Sequence, residues 1–456
     1  SLGPLRRLVP YVLRYRGLTV GAIVFLLLAA AATLTLPIAV RRIIDHGFSE
    51  SDSAFIASYF SMLIGVAAVL AVASALRYYF VVMLGERVVT DLRRDIFAHV
   101  IQLSPAFFDR AQSGEIVSRL TADATQVKAA VGATASVALR NTIMGVGAVT
   151  MMVVTSPRLS LLVVAAIPFI VVPIVAFGRS VRRRTRRAQD ALADAAAFAG
   201  EQIGAVRVLQ AFTNERAAAK RFSSAVETAF EAARASIRAR AVLTFFAIFA
   251  TSASVVAVLW VGSHDVLSGA MSAGTLGQFL LYAVLAAGAL GALSEVWGEL
   301  SQAAGAAERM GELLDEVPTV AAPTNPVALP PPQGEVEFRD ISFSYPARPN
   351  VSALHRLSFR VAPGETVAIV GPSGAGKSTI FSLLLRYYDP DSGEVLIDGT
   401  DIRRADPSAV RERIAIVPQE VTVLAASAAE NIAFGRPGAS RAEVEAAAKA
   451  ALAHDF

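Results

Sequence analysis

Six long stretches of this 456-residue chain contain no Asp, Glu, Lys or Arg, and they constrain the fold more than any other feature. A bilayer crossing takes about 20 apolar residues, and a backbone in hydrocarbon must satisfy its own hydrogen bonds. The stretches therefore predict six transmembrane helices. The predicted spans lie near residues 17–40, 53–84, 134–157, 159–178, 241–264 and 266–298.

The composition agrees with a membrane protein. Apolar residues make up 54% of the chain and charged residues 18%, against about 25% charged in an average soluble domain. Six buried helices of a large soluble core, or a signal peptide at the first stretch, are weaker readings, because the stretches are too long and too many. The absence of cysteine excludes disulfides, thiolate metal sites and a cysteine nucleophile. The net charge of +4 is too small to indicate a nucleic-acid partner.

Basic residues concentrate in three blocks, and their positions predict the orientation of the spans. The blocks cover Arg6–Arg16, Arg87–Lys128 and Arg179–Arg187, whereas the intervening connections, such as the acidic 45–52, are short. Basic loops stay in the cytoplasm. We therefore expect a cytoplasmic N-terminus, two long cytoplasmic loops and a cytoplasmic C-terminal half. The arginines at 179–187 are interpreted as a topology determinant at the lipid surface rather than as a ligand site.

Both long loops have helical composition. Residues 87–102 and 179–230 are rich in Ala, Arg and Glu and contain few helix breakers, so we expect the spans to continue as helices into the cytoplasm. Charges near the span ends, at Arg77, Glu86 and Arg140, are interpreted as snorkelling or cytoplasmic. No series of acidic or histidine side chains crosses the predicted bilayer, which argues against a proton-driven pump.

A change in composition after Glu316 predicts a second domain. Residues 317–334 carry six prolines and form a predicted semi-rigid linker between a transmembrane domain, 1–316, and a domain at 335–456. Beyond the linker, apolar and polar residues alternate in Glu335–Arg339, Ile341–Tyr345 and Leu357–Val361. This period of two predicts an antiparallel β-sheet.

The segment Gly371–Thr379 reads GPSGAGKST and follows the apolar run Thr366–Val370. We predict a buried strand over that run, then a phosphate-binding loop, then a helix through Tyr388. In such a loop the glycines let backbone N–H groups surround phosphates, the lysine contacts the β- and γ-phosphates, and the serine ligates Mg²⁺. The loop thus predicts a nucleoside triphosphate with Mg²⁺, contacted by Gly371, Pro372, Ser373, Gly374, Ala375, Gly376, Lys377, Ser378 and Thr379; the family resemblance described next implies that the nucleotide is ATP.

Six spans with two long cytoplasmic loops, fused to a phosphate-binding loop, resemble an ABC exporter half-transporter of the bacterial lipid-flippase and multidrug type. By that resemblance Tyr345 stacks on adenine. Gln419, in Ile416–Gln419, resembles the family's Q-loop glutamine, which ligates Mg²⁺ and reports nucleotide state. Lys377 and Gln419 are then the candidate catalytic residues. Asp391–Gly399 and Glu430–Gly435 resemble the hairpin after the loop helix and the start of the helical subdomain.

Two further segments resemble the family's coupling helices, which press on the ATPase domains. They lie near residues 107–123 and 201–215. The resemblance thus implies six membrane helices extended into the cytoplasm, joined to a partial α/β ATPase domain with an antiparallel subdomain. The family's signature sequence, catalytic glutamate and switch histidine do not occur in the printed residues, so we expect the domain to be incomplete and hydrolysis to belong to the full-length protein.

The resemblance implies an ATP-driven exporter that moves a hydrophobic or amphipathic substrate out of the cytoplasm or inner leaflet. The implied partner is a second half-transporter, in a homodimer or a heterodimer, and the implied location is a bacterial inner membrane. An exporter-fold importer and a catalytically degenerate half of a heterodimer stay open as alternatives. Candidate cavity liners, for which lipid contact or helix packing is the stronger interpretation, are Phe245, Phe246, Phe249, Phe279 and Tyr282.

Overall fold

A computed structural model describes residues 2–46, 53–419 and 423–455 of the chain. By packing, these residues divide into two compact units. The first comprises the residues up to Ile101 together with Gly114–Asp315. The second comprises Gln102–Ser113 together with the residues from Glu316 onward. The short segment 102–113, which precedes the linker by some two hundred residues, therefore packs with the second unit.

The described residues of the first unit are almost all helical. This unit begins with a 3₁₀ helix Gly3–Leu8, α1 Val9–Arg14, α2 Arg16–His46 and α3 Ser53–Val100. The next helix in the chain, α4 Pro105–Phe108, lies in the segment assigned to the second unit. The first unit then continues with α5 Ser113–Ser118, a π-helical turn Arg119–Asp123, α6 Ala124–Ala129, a second π-helical turn Ala130–Thr134, α7 Ala135–Thr155, α8 Pro157–Gly204, α9 Val206–Ala211, α10 Glu215–Leu267 and α11 Ala273–Asp315.

Within the described residues, six helical segments are long and apolar enough to cross a membrane, which confirms the predicted membrane fold. They are Arg16–Asp45, Ala57–Val100, Ser113–Thr155, Pro157–Gly204, Glu215–Leu267 and Ala273–Asp315. All six are longer than the roughly 20 residues that a bilayer requires. The acidic connection predicted at 45–52 lies largely outside the described residues.

Two of the five candidate cavity liners are core residues. Phe279 and Tyr282 of α11 are fully buried in a cluster with residues of α7, α8 and α10. The Tyr282 hydroxyl also donates a hydrogen bond of 2.8 Å to the carbonyl oxygen of Leu34 in α2. These two side chains therefore hold helices together. Phe245, Phe246 and Phe249 of α10 are instead exposed.

The second unit contains a four-stranded antiparallel sheet, as the alternation predicts. Its strands are β1 Val336–Ser344, β2 Ser352–Val361, β3 Ser392–Ile397 and β4 Thr400–Asp401, in the order β2-β1-β3-β4. The two alternating segments 335–339 and 341–345 form a single strand. Between them Asp340 adopts a left-handed conformation (φ 47°), and the pairing register with β2 shifts between Phe338 and Ile341. Its helices are α12 Lys377–Leu384, a 3₁₀ helix Ile402–Arg404, α13 Pro407–Arg411, α14 Ala428–Ala433 and α15 Arg441–Ala450.

Two local predictions in this unit are wrong. Residues 366–370 form no strand, and Val370 is 86% exposed, because no described segment supplies the hydrogen-bonded neighbour that a strand requires. The helix predicted through Tyr388 ends at Leu384, since Arg386 takes a left-handed conformation (φ 50°). The buried Arg386 guanidinium is bonded to the Ala405 carbonyl oxygen at 2.9 Å and to Asp389 at 3.0 Å, which stabilises that turn.

One hydrophobic core joins the sheet to α12. It contains Phe338, Phe343 and Leu383, all nearly inaccessible to solvent. Ala106, from the short helix α4, is 2% exposed and belongs to the same core. The segment 102–113 thus contributes buried surface to a sheet domain that begins more than 200 residues later in the chain.

Candidate functional site

The predicted phosphate loop leads directly into α12. Gly376, immediately before the helix, has φ +84°, and a Cβ at this position would lie 2.6 Å from the Ala353 carbonyl oxygen. Only glycine fits both the backbone conformation and the space. Gly374 has the same φ, but a Cβ there would meet nothing within 4 Å, so this face of the loop is open.

Lys377 and Ser378 present chemical groups at the open loop. The Lys377 ammonium group donates hydrogen bonds to the carbonyl oxygens of Gly371, at 2.9 Å, and Pro372, at 2.7 Å. The Ser378 side chain is exposed, and its hydroxyl has no hydrogen-bond partner among the described residues. The N–H groups of a helix's first turn also lack intrahelical partners. The loop therefore offers an ammonium group, a free hydroxyl and backbone donors, a set that fits a phosphate with its Mg²⁺.

Tyr345 lies beside this helix, as an adenine-contacting residue should. Its hydroxyl is 3.1 Å from the Thr379 hydroxyl, although the two residues are 34 positions apart. The Tyr345 ring contacts Phe343 and Tyr388 edge-on, with centroid distances of 5.0 and 5.2 Å. The structure therefore brings together three sequence-predicted elements: the aromatic residue, the loop and the loop helix.

Gln419, the fourth predicted element of the site, has no described contact with Tyr345, the loop or the loop helix. Its side chain is exposed, and it forms no hydrogen bond with Ser378 among the described residues. The three residues that follow it lie outside the described part of the chain. Within that part there is also no cluster of three acidic or histidine side chains that could hold a metal. A Mg²⁺ at Ser378 would accordingly need phosphate oxygens among its ligands, as is usual for nucleotide-bound Mg²⁺.

Polar contacts that sequence reasoning missed join residues 102–113, where the first predicted coupling segment begins, to the rest of the second unit. The Tyr388 hydroxyl donates a hydrogen bond to the Asp109 carboxylate. The Val320 N–H donates to the Ser104 hydroxyl at 2.9 Å, and Arg110 pairs with Glu316 at 3.3 Å. Burial and the nearby Asp109 carboxylate raise the pKa of Tyr388 above its ordinary value. Nothing in one sequence links residue 109 to residue 388, so only the structure reveals the contact.

The second predicted coupling segment contains the short helix α9, which connects α8 and α10. Its apolar side chains face solvent, as Val208 and the adjoining Phe212 are 58% and 71% exposed. A short exposed apolar helix between two long helices is typical of a docking element.

Comparison with known families decides the relationship. Residues 19–290 match the family model for the ABC transporter transmembrane region, which is more than half of the chain. The chain belongs to the ABC transporter family. Residues 354–455 match the ABC transporter domain model, which begins in β2 and covers the loop, α12 and Gln419. The resemblance found in the sequence is confirmed: this ABC transporter chain is a multi-pass membrane protein with a nucleotide-binding domain.

Similar proteins include transporters from fungi, animals and bacteria. The ABC multidrug transporter mdr2 of Aspergillus fumigatus is 34% identical over 94% of this chain and 55% of its own length. The mitochondrial ATP-binding cassette sub-family B member 10 of Mus musculus is 35% identical over 97% of this chain and 63% of its own length. An export ATP-binding/permease protein of Rickettsia typhi is 29% identical over 96% of this chain and 76% of its own length. The chain thus spans less than two thirds of the length of the first two of these relatives.

Proposed function

We propose that this ABC transporter chain is the subunit of an ATP-driven exporter that moves a hydrophobic or amphipathic substrate, such as a lipid, drug or peptide, by alternating access. The observation that carries the proposal is the loop before α12. Gly376 is sterically required, and Lys377 bonds to carbonyl oxygens of the loop. Among the described residues the Ser378 hydroxyl is free, and six helices are long and apolar enough to cross a membrane. Exporter-type relatives support the direction of transport.

In the proposed nucleotide site each residue has a distinct task. The Lys377 ammonium group exchanges its hydrogen bonds to the carbonyl oxygens of Gly371 and Pro372 for bonds to the β- and γ-phosphates, whose charge it neutralises. This exchange is favourable because bonds between two charged groups are stronger than bonds to a neutral carbonyl. Backbone N–H groups of residues 371–379 surround the phosphates. Ser378 and Gln419 would hold a Mg²⁺ ion, which would neutralise charge on the phosphates. Tyr345, which lies beside the loop helix and is only partly buried, stacks on the adenine.

The proposed domain organisation is a transmembrane domain at 1–316, a linker at 317–334 and a nucleotide-binding domain from 335, with coupling segments near 107–123 and 201–215. The proposed partner is a second half-transporter, most simply a second copy of the same chain. In this family the nucleotide lies between the loop of one subunit and the signature of the other. We place the protein in a bacterial inner membrane with the N-terminus and nucleotide-binding domain in the cytoplasm, on the basis of its arginine-rich loops and rickettsial relative.

The test uses the full-length protein in inside-out membrane vesicles with a fluorescent amphipathic cation as transport probe. We expect ATP-dependent accumulation with the wild type and with Lys449→Ala, which removes an exposed lysine of α15 that is not part of the loop. We expect none with Lys377→Ala, although the variant inserts normally in the membrane. Normal turnover by Lys377→Ala would contradict the loop assignment, whereas ATP-driven release of preloaded probe would indicate import.

A further inference from the structure

A cavity of about 580 Å³ lies between α8 and α10 in the first unit. Arg182, Arg186 and Arg240 line it together with Thr185 and Leu243. The helices are joined beside it by a hydrogen bond of 2.8 Å between the hydroxyls of Thr185 and Ser236. The cavity is therefore formed by two tightly packed helices of one chain.

The cavity lies at the level where hydrocarbon ends. Gly178, in its lining, is the last residue of the charge-free stretch of α8, and Ala241, which begins the charge-free stretch of α10, directly follows Arg240. Because these arginines belong to the basic cytoplasmic side, the cavity faces the headgroup region of the inner leaflet.

The three lining arginines are exposed to solvent and have no acidic partner among the described residues. None of their guanidinium groups has an ion pair or hydrogen bond among the described residues, and Asp190, the acidic residue of the lining, also pairs with none of them. Arg182 and Arg186 are four positions apart and share one face of α8, while Arg240 comes from the opposing helix. Three like charges around one cavity repel each other, so a bound anion would stabilise the arrangement.

An aromatic patch continues from the cavity toward the membrane interior. Phe177, which precedes Gly178, stacks on Phe246 with a centroid distance of 5.7 Å and an interplanar angle of 14°. Phe245 packs edge-on against Phe246 and stacks on Phe249. All four rings are exposed. Positive charge on the cytoplasmic side and apolar rings on the hydrocarbon side match a molecule with an anionic head and an acyl chain.

We propose that this cavity binds the phosphate headgroup of an anionic phospholipid of the inner leaflet, with its acyl chain along the aromatic patch. Guanidinium groups suit phosphate because they donate two parallel hydrogen bonds. The proposal does not depend on nucleotide binding or on the direction of transport.

The test measures lipid binding to the full-length protein by native mass spectrometry in detergent, titrated with phosphatidylglycerol or phosphatidylcholine. The cavity variant carries Arg182→Ala, Arg186→Ala and Arg240→Ala. The control variant carries Arg183→Ala, Arg184→Ala and Arg187→Ala, which remove the same charge from the same basic cluster but line no part of the cavity. We expect at least tenfold weaker phosphatidylglycerol binding in the cavity variant, less than twofold change in the control, and weaker binding of phosphatidylcholine.

Two further arms make the result decisive. A photoactivatable phosphatidylglycerol should crosslink wild-type residues 177–190 and 236–249, a readout that does not require any variant to fold. Millimolar inorganic phosphate should not displace the lipid, since the acyl chain contributes to binding. Equal loss in both triple variants, crosslinks spread over all helices, or displacement by phosphate alone would each overturn the proposal, in favour of general surface charge or of a free-anion site.

Discussion

The Tyr388 hydroxyl donates a hydrogen bond to the carboxylate of Asp109, which lies 279 residues earlier in the chain. Tyr388 is 6% exposed and follows the loop helix α12, whereas Asp109 follows the short helix α4. The same tyrosine ring contacts Tyr345, whose hydroxyl is within hydrogen-bonding distance of Thr379. A continuous set of contacts thus runs through the second unit from the candidate nucleotide site to the first predicted coupling segment.

Tyr388→Phe should loosen the segment 102–113. A hydrogen bond to a charged group contributes about 1.5–3 kcal/mol, and the exposed Asp109 recovers part of this from water when the bond is lost. We expect amide hydrogens of residues 102–113 to exchange about tenfold faster in the full-length protein, as measured by hydrogen-exchange mass spectrometry. Tyr387→Phe is the matched control, because the Tyr387 hydroxyl has no partner among the described residues. Unchanged exchange in Tyr388→Phe would mean that the bond does not hold the segment.

The same contact predicts a loss of stability at alkaline pH. Burial and Asp109 raise the pKa of Tyr388 in the folded protein, whereas an unfolded tyrosine titrates near 10. The unfolded chain therefore loses its proton first, so the contribution is complete below about pH 10 and declines as the pH rises above it. Between pH 8 and 11 the melting temperature of the second unit should fall more steeply in the wild type than in Tyr388→Phe. Parallel curves would contradict the predicted shift.

Two substitutions of Tyr345 distinguish the contribution of its ring to nucleotide binding from that of its hydroxyl. Tyr345→Ala should weaken nucleotide binding by about 1–3 kcal/mol if base stacking has its usual strength. Tyr345→Phe removes the hydroxyl contact with Thr379 but keeps the ring, so its affinity should stay within about threefold of wild type. Fluorescent ATP-analogue titration of the full-length protein distinguishes the two. An equal loss in both variants would assign the role to the hydroxyl instead of the ring.

Gly376→Ala should destabilise the second unit more than Gly374→Ala. Both positions have φ +84°, so alanine costs about 1–2 kcal/mol in either. Only at position 376 does the new methyl group meet the Ala353 carbonyl oxygen and, at 2.7 Å, the Leu354 side chain. Thermal unfolding of the full-length protein without nucleotide should show a melting temperature lower by several degrees in Gly376→Ala than in Gly374→Ala. Equal values would show that the loop relaxes away from β2.

Gly274, in the membrane unit, is another glycine at which an added Cβ would meet neighbouring atoms. Its N–H donates to the Asp45 carboxylate at 2.9 Å, and an added Cβ would clash with that carboxylate and lie 2.6 Å from the Arg41 carbonyl oxygen. Gly274→Ala should therefore separate the ends of α2 and α11 and lower the melting temperature in detergent. Gly288→Ala, in the same helix with nothing within 4 Å, should leave it unchanged or slightly higher. Equal effects would indicate that α2 is not held there.

Much of this arrangement could be predicted from local sequence. Charge-free length predicts the membrane helices, and glycine spacing with Lys377 predicts the loop, because both depend on residues close together in the chain. The strand predicted at 366–370 is wrong because a strand depends on residues distant in the chain. An apolar run pairs into a sheet only with a neighbouring strand, and no described segment provides one. Likewise, Asp109 reads as an ordinary loop carboxylate, and only tertiary packing reveals its partner.

The basic cavity shows a further limit of sequence reasoning. Arg182 and Arg186 belong to a run of arginines that the positive-inside rule explains completely, so the sequence gives no reason to separate them from Arg183, Arg184 and Arg187. Their separate role depends on Arg240, which α10 brings to the same cavity from more than fifty residues away. Helix packing, rather than composition, distinguishes the two sets.

The burial of Ala106 in the core of the sheet domain has a practical consequence for exchanging parts between relatives. A chimaera that takes its nucleotide-binding domain from another transporter, with the junction placed only at the proline-rich linker, would insert residues 102–113 of one protein into a surface evolved for another. The natural unit of exchange has two pieces, residues 102–113 and everything after Glu316, and they should be transplanted together. A substitution at Ala106 or Asp109 therefore changes contacts with residues beyond 335 rather than with neighbours in sequence.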